Sequence, residues 1–211
     1  MNKSIIPAIL TNDFSDFQQK LKKIENLSSW LQIDISDGKF TSNKTLSLNG
    51  LLLLKFKQNL ELHLMVFQPK NYFLIAEKLK AKRVIVHFEA VEKNINDFLS
   101  KKYPFTLGLA LNPETPVEQV FPYLSKLNFI LMLGVTPGAQ GQKFQEKVLE
   151  KIKKIKTLYP KTIVEVDGGI NEKTIQKINQ AGADVFVVGS ALLRAENPKK
   201  EIEELKKLIL K

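Results

Sequence analysis

Short apolar, β-branched runs alternate along this chain with longer segments of helical period. The runs fall at residues 4–10, 30–35, 60–66, 83–88, 105–111, 129–133, 162–166 and 185–188, each with the length and composition of a buried strand. Between them, apolar residues recur at helical spacing over 14–25, 69–80, 94–101, 117–127, 143–158 and 172–181, and a last such segment covers 199–210. Asp13 or Ser15 supplies a start signal for the first helix, and Asn171 precedes the sixth. Gly182 stands where a helix-ending glycine belongs. Residues 39–57 read as a loop followed by a short helix.

Eight strands alternating with crossovers in 211 residues predict an α/β fold, a single (β/α)8 TIM barrel domain over 1–211. A doubly wound sheet shares the alternation but has no use for eight evenly spaced strands. The hydrophobic fraction, 44%, is that of an ordinary globular domain. No stretch approaches the roughly 20 apolar residues of a membrane span, because the leucines at 51–54 meet Lys55 at once. Nothing at the N-terminus resembles a signal peptide, and the expectation is a cytoplasmic protein. With no cysteine, disulfides and thiolate metal sites are excluded. The net charge of +10 raises the question of nucleic acid. The lysines, however, are interleaved with Glu on helical faces, as in "EKVLEKIKKIK", which is the pattern of a solvated surface. Neither a nucleic-acid nor a membrane partner is expected, though a basic field draws anionic metabolites toward a cleft.

Barrel active sites lie at the C-terminal ends of the strands. There the sequence places Asp34 and Asp37 after the second strand, His63 on the third, His87 on the fourth and Asp167 after the seventh. Glycine-rich turns complete the ring: "PGAQGQ" with Gly138 and Gly141, "DGGI" with Gly168 and Gly169, and "GSA" with Gly189 and Ser190. Such turns let backbone N–H groups approach a phosphate closely. One glycine turn alone more simply serves a tight bend, but two, after strands seven and eight, occupy the barrel's usual phosphate position. A carboxylate beside a carbon acid can remove a proton, and a second acid on the opposite face can return one, inverting the centre through an enediolate. Asp34 and Asp167, from well-separated strands, suit these roles, although each alone also reads as a turn former. His63 within "LELHLMV" reads as a core histidine in isolation; beside two carboxylates it suits a divalent metal. His87 reads as a buried or supporting residue, and Asp37 as either a supporting acid or a turn residue.

The segments "IIPAIL", "LQIDISDGKF", "LELHLMV", "VIVHFEA", "LALNPETP", "GVTPGAQGQKF", "IVEVDGGI" and "VVGSALL" stand in the order found in ribulose-phosphate 3-epimerases. The chain resembles that family over nearly its whole length. The resemblance implies an isomerase of carbohydrate metabolism that interconverts ribulose 5-phosphate and xylulose 5-phosphate with two aspartates and a divalent metal, such as Zn, Fe, Mn or Co. It assigns Asp34 and Asp167 as acid/bases and, with His63, as metal ligands. It also implies a homo-oligomer, and a pocket including Ala8, Ser36 and Met65. Several positions depart from the family pattern. Gln32 replaces a histidine ligand, Ala8 a substrate-contacting serine, and Ser36 a methionine; Leu133 and Gly134 replace a methionine and a small hydroxyl residue. "TPGAQGQ" replaces "NPGFGGQ", with Thr136, Ala139 and Gln140. A neutral amide is a poorer zinc ligand than imidazole, so the metal is expected to be held weakly or to be absent. Two alternatives stay open: an epimerase of another ketose phosphate, such as allulose 6-phosphate, and an impaired sugar-phosphate-binding homologue.

Overall fold

The computed structural model describes residues 3–139 and 141–210. Eight parallel strands close into one barrel in sequence order. They are β1 (Ser4–Ile9), β2 (Trp30–Ser36), β3 (Asn59–Met65), β4 (Arg83–His87), β5 (Thr106–Leu111), β6 (Phe129–Leu133), β7 (Ile163–Asp167) and β8 (Val185–Val188). Every strand end falls within one residue of its sequence reading. The closed ring leaves no sheet edge, and β8 pairs directly with β1.

The helices differ more from expectation, each time for a local reason. Helix α1 (Phe14–Ile24) starts at Asp13, whose carboxylate accepts a hydrogen bond from the Asp16 amide. The loop after β2 ends, as read, in a short helix, α2 (Leu48–Leu51). The segment at 69–80 divides into a 3-10 turn (Pro69–Tyr72) and α3 (Phe73–Lys78). After β4 come the unforeseen α4 (Phe88–Val91) and then α5 (Ile95–Ser100). The segment Val117–Lys126 winds as a 3-10 helix with Pro122 inside it, whose ring would clash with the carbonyl four residues back in an α-helix. Helix α6 (Lys147–Leu158) begins four residues later than read, because residues 143–146 are drawn over the barrel mouth. There the Gln145 amide donates to the Gly134 carbonyl. Helix α7 (Ile175–Ala181) ends at Gly182 in the left-handed region, φ 107°. Helices α8 (Ser190–Arg194) and α9 (Pro198–Ile209) close the chain.

Two apolar clusters result. The larger lies between sheet and helices. The smaller fills the barrel with Ile6, Ala8, Ile85, Ala110, Phe129, Leu131, Leu133, Val185 and Val187. These come mainly from β1, β5, β6 and β8. Polar side chains from β2, β3, β4 and β7 fill the rest of the interior. At the N-terminal end the Arg83 guanidinium packs over the rings of Trp30, at 4.2 Å, and Phe129, at 4.9 Å. Phe129 can lie there because its neighbour on β5 is Gly108: a Cβ at Gly108 would sit 2.3 Å from the ring. Among the described residues, no helix is long and apolar enough to cross a membrane.

Gly108→Ala forces that ring, and with it Arg83, to move. Unfolding in urea is expected to show a loss of about 1–3 kcal/mol relative to the unaltered chain.

Candidate active site

Strand alternation explains how the site is assembled. Residues two apart on a strand point the same way, so Gln32 and Asp34, Glu61 and His63, and Glu165 and Asp167 form three inward pairs. Register places Asp34 beside His63 and, one layer down, Gln32 beside Glu61. Strand β7 brings Asp167 from across the barrel.

The upper layer is tightly joined. The Gln32 amide Nε2 donates to Asp34 Oδ1 at 2.7 Å and to Asp167 Oδ2 at 2.8 Å. His63 Nδ1 lies 3.1 Å from the same Asp34 oxygen and 3.5 Å from the same Asp167 oxygen. On its other side, His63 Nε2 meets His87 Nε2 at 2.9 Å. His87 Nδ1 is 3.4 Å from Glu89 Oε2, and Glu89 Oε1 accepts from the Asn112 amide and the Thr115 hydroxyl.

These contacts determine where protons reside. Burial pushes His87 below the usual histidine range, leaving it neutral. Burial also raises Glu89, but its bonds from His87, Thr115 and Asn112 outweigh this and hold it ionised. His87 therefore donates from Nδ1 to Glu89 and accepts at Nε2 from His63, which fixes the His63 proton on Nε2. His63 Nδ1 then faces two carboxylate oxygens and needs a cation there, either its own second proton or a metal. Burial opposes the proton, yet the hydrogen bonds and charges of Asp167 and Asp34 prevail and raise His63 to about 9. Burial and the charge of Asp167 push Asp34 up to about 6, against the pull of His63 and Gln32.

Asp34, His63 and Asp167 each offer one ligand atom, all within 4.8 Å of one another. Donor atoms around a tetrahedral zinc at roughly 2.0–2.1 Å lie about 3.3 Å apart, close to the two His63 separations. The three residues fit a divalent metal. Gln32 lies against the same two oxygens but turns its N–H₂ toward them, and its Oε1 is buried with no hydrogen-bond partner.

Every glycine singled out for phosphate lines one cavity with these groups: Gly138, Gly141, Gly168, Gly169 and Gly189, together with Ser190. Ala8 and Met65 line it too. Gly168 and Gly169 have φ of +101° and +70°, and a Cβ would strike Val135 from the first and the Phe144 backbone from the second. Only glycine makes this turn. Ser36 differs from the pocket role expected of it. It is absent from this lining, and its hydroxyl is held by Thr41 Oγ1 and the Asn43 carbonyl, both at 2.5 Å, where it shapes the β2 loop. Asp37 is a turn residue that also ties two loops, accepting from the amides of Lys39, Phe40 and Phe67. The β2 and β6 loops meet where Asn43 Nδ2 donates to the Gly138 carbonyl at 2.7 Å. Gln140, in the β6 loop, lies outside the described residues.

Three participants were not singled out from sequence. Glu89 supports His87, and Glu61 and Glu165 lie buried beneath the site. Arg83 Nη1 reaches Glu61 Oε2 at 3.1 Å and Glu165 Oε2 at 3.5 Å. Burial raises both glutamates, Glu165 further because of the charge of Glu61. The signal available was the spacing itself: a polar residue two before each site residue on β2, β3 and β7.

The molecule is a closed (β/α)8 barrel with a carboxylate–imidazole cluster and glycine turns at its C-terminal mouth, where proteins of this class carry their active sites. Solved structures agree on the fold: 3-hexulose-6-phosphate synthase from Salmonella typhimurium superposes with a TM-score of 0.69, covering 98% of each chain at 15% identity. Orotidine 5'-phosphate decarboxylase from Pyrococcus horikoshii gives 0.66, covering 98% of this chain and 99% of that one, at 16% identity. Within that class, the ribulose-phosphate 3 epimerase family model matches residues 4–193. The ribulose-phosphate 3-epimerase of Schizosaccharomyces pombe is 33% identical over 218 residues, spanning 98% of this chain and 94% of that protein. That of Bacillus subtilis is also 33% identical, spanning 96% and 97%. The chain belongs to the ribulose-phosphate 3-epimerase family, a family of isomerases.

The His63 shift has a consequence for metal-free protein. A histidine raised from 6.5 to about 9 contributes stability that is complete below pH 6.5 and lost as pH rises through 9. Asp34, raised from 3.8 to about 6, loses its contribution earlier, as pH rises between those values. Urea unfolding of chelator-treated protein is expected to show stability falling by on the order of 3 kcal/mol from pH 6.5 to 9, with a flatter profile for His63→Gln.

Proposed function

We propose that this chain epimerises D-ribulose 5-phosphate and D-xylulose 5-phosphate at C3. The supporting observation is the joining of two carboxylates, Asp34 and Asp167, through Gln32 and His63 in one cavity whose other wall is the glycine turns. In this reading the phosphate rests on the amides around Gly168, Gly169, Gly189 and Ser190, in the cavity that Gly138 and Gly141 also line. Binding there sets the ketose carbon chain over the acids. One aspartate removes the C3 proton, giving a planar enediolate, and the other, on the opposite face, returns a proton. The raised Asp34 suits both duties near neutral pH, since it accepts and releases a proton at little cost. His63, held by His87 and Glu89, keeps its positive edge or its lone pair toward the carboxylates and fixes their positions. Asp34, His63 and Asp167 would hold a divalent ion, and what such an ion supplies when bound is positive charge against the developing enediolate.

Ala8 and the Ser36 hydroxyl turned into the β2 loop leave fewer polar contacts at the sugar end. Substrate choice is therefore tested on more than one ketose phosphate. Purified protein with ribulose 5-phosphate in D₂O is expected to form xylulose 5-phosphate and incorporate deuterium at C3. Asp34→Asn and Asp167→Asn are each expected to lower kcat by roughly a thousandfold. Turnover of allulose 6-phosphate in preference to the pentulose would reassign the substrate. Retained sugar-phosphate binding with no deuterium incorporation would make the chain a binding protein.

A further inference from the structure

The Gln32 side chain is fully buried, and its two ends are in opposite circumstances. Its N–H₂ bonds both carboxylate oxygens that, with His63 Nδ1, make up the three-ligand group. Its Oε1 has no donor. One layer down, Glu61 Oε1 and Glu165 Oε1 are also buried without partners, and Glu61 is the register neighbour of Gln32. An unmade hydrogen bond to a buried amide oxygen is costly, and this interior holds acceptors in excess. A half-turn of the amide would exchange its two ends. Oε1 would then face the place where Asp34, His63 and Asp167 converge, and N–H₂ would take the buried position that Oε1 now holds without a donor.

We infer that Gln32 is a two-position amide: its N–H₂ ties Asp34 to Asp167 in the metal-free protein, and its Oε1 becomes a fourth ligand when a divalent cation enters. The two positions are chemically exclusive. Two N–H donors aimed at the carboxylates occupy lone pairs that a cation needs, whereas an amide oxygen aimed there without a cation repels them. Binding thus requires breaking the two hydrogen bonds from Gln32 to Asp34 and Asp167. The site takes its ion more weakly than one with a fourth imidazole, and it is not left as an uncompensated pair of buried carboxylates when empty.

This inference rests on the metal-holding role proposed above for Asp34, His63 and Asp167, and its test reads metal affinity and amide orientation rather than turnover. Chelator-stripped full-length protein is titrated with Zn²⁺ against a chromophoric competitor, alongside Gln32→Met and Gln32→His, with circular dichroism confirming the fold of each. The expected result is measurable Zn²⁺ affinity in the wild type, a loss of about tenfold or more in Gln32→Met, and a gain in Gln32→His. In ¹⁵N-labelled wild-type protein, the Gln32 side-chain N–H₂ resonances are expected to shift on adding Zn²⁺; this readout decides the matter if Gln32→Met does not fold. Unchanged or tighter binding by Gln32→Met, or N–H₂ resonances that do not move, would overturn the two-position amide and leave a three-ligand site. Zn²⁺ binding by Gln32→His but not by the wild type would overturn it as well. If neither binds Zn²⁺, both this inference and the metal role fail, while deuterium incorporation by the same preparations reports separately on the epimerase reading.

Discussion

Negative charge inside a closed barrel is the constraint on which the rest of this structure depends. Asp34, Glu61, Glu165 and Asp167 all turn inward, the two glutamates fully buried and the two aspartates at the floor of the cavity, and a buried carboxylate is tolerated only when paired, bonded or protonated. Each neighbouring feature answers that demand. Arg83 closes the N-terminal end against Glu61 and Glu165, and burial, which raises both glutamates, reduces the negative charge it must balance. Above them His63 supplies a cationic edge, or a ligand to a cation, and Gln32 supplies two donors. The neutral His87 and ionised Glu89 keep His63 oriented for this. The chemistry proposed for the site uses the same imbalance: a carboxylate kept near its protonation midpoint by burial is a serviceable acid and base.

The apolar half of the interior has the complementary role. Side chains from β1, β5, β6 and β8 form an apolar wall beside the polar half and lower the local dielectric, which strengthens the pairings described. The basic surface stands apart from this. Its lysines pair with acids over helix faces and between neighbouring elements, as Lys20 with Asp16 and Lys154 with Glu118, and such exposed pairs add little to stability.

Strand positions, and the gathering of Asp34, His63 and Asp167 at one end of the barrel, were legible in the sequence because a parallel barrel buries both faces of each strand. The resulting apolar runs are short and sharply bounded, and the C-terminal rule converts their ends into a map of the site. Helix starts were less legible. Residues 143–146 carry a helical pattern but are claimed by the barrel mouth, and the tertiary bond from Gln145 to Gly134 is invisible to periodicity. Ser36 shows a related limit: inward alternation placed it correctly in a buried position, yet a hydroxyl goes to the nearest acceptor, here the Asn43 carbonyl of its own loop. Glu61 and Glu165 were readable in principle from their spacing, but an acid in an apolar strand announces burial without announcing its partner. Asp37 could be settled only by finding the three amides that it accepts from.

Strand β7 stands across the ring from β2 and β3, with the apolar strands β6 and β8 on either side of it. Asp167 therefore has no polar companion on an adjacent strand, and its links to Gln32 and His63 cross the open interior. Mechanically, those links act as a tie rod spanning a cylinder. Any ovalising of the barrel is transmitted as a change in the gap between the two carboxylates. The stiffness of the cylinder wall thus sets how steadily the two acids are held apart.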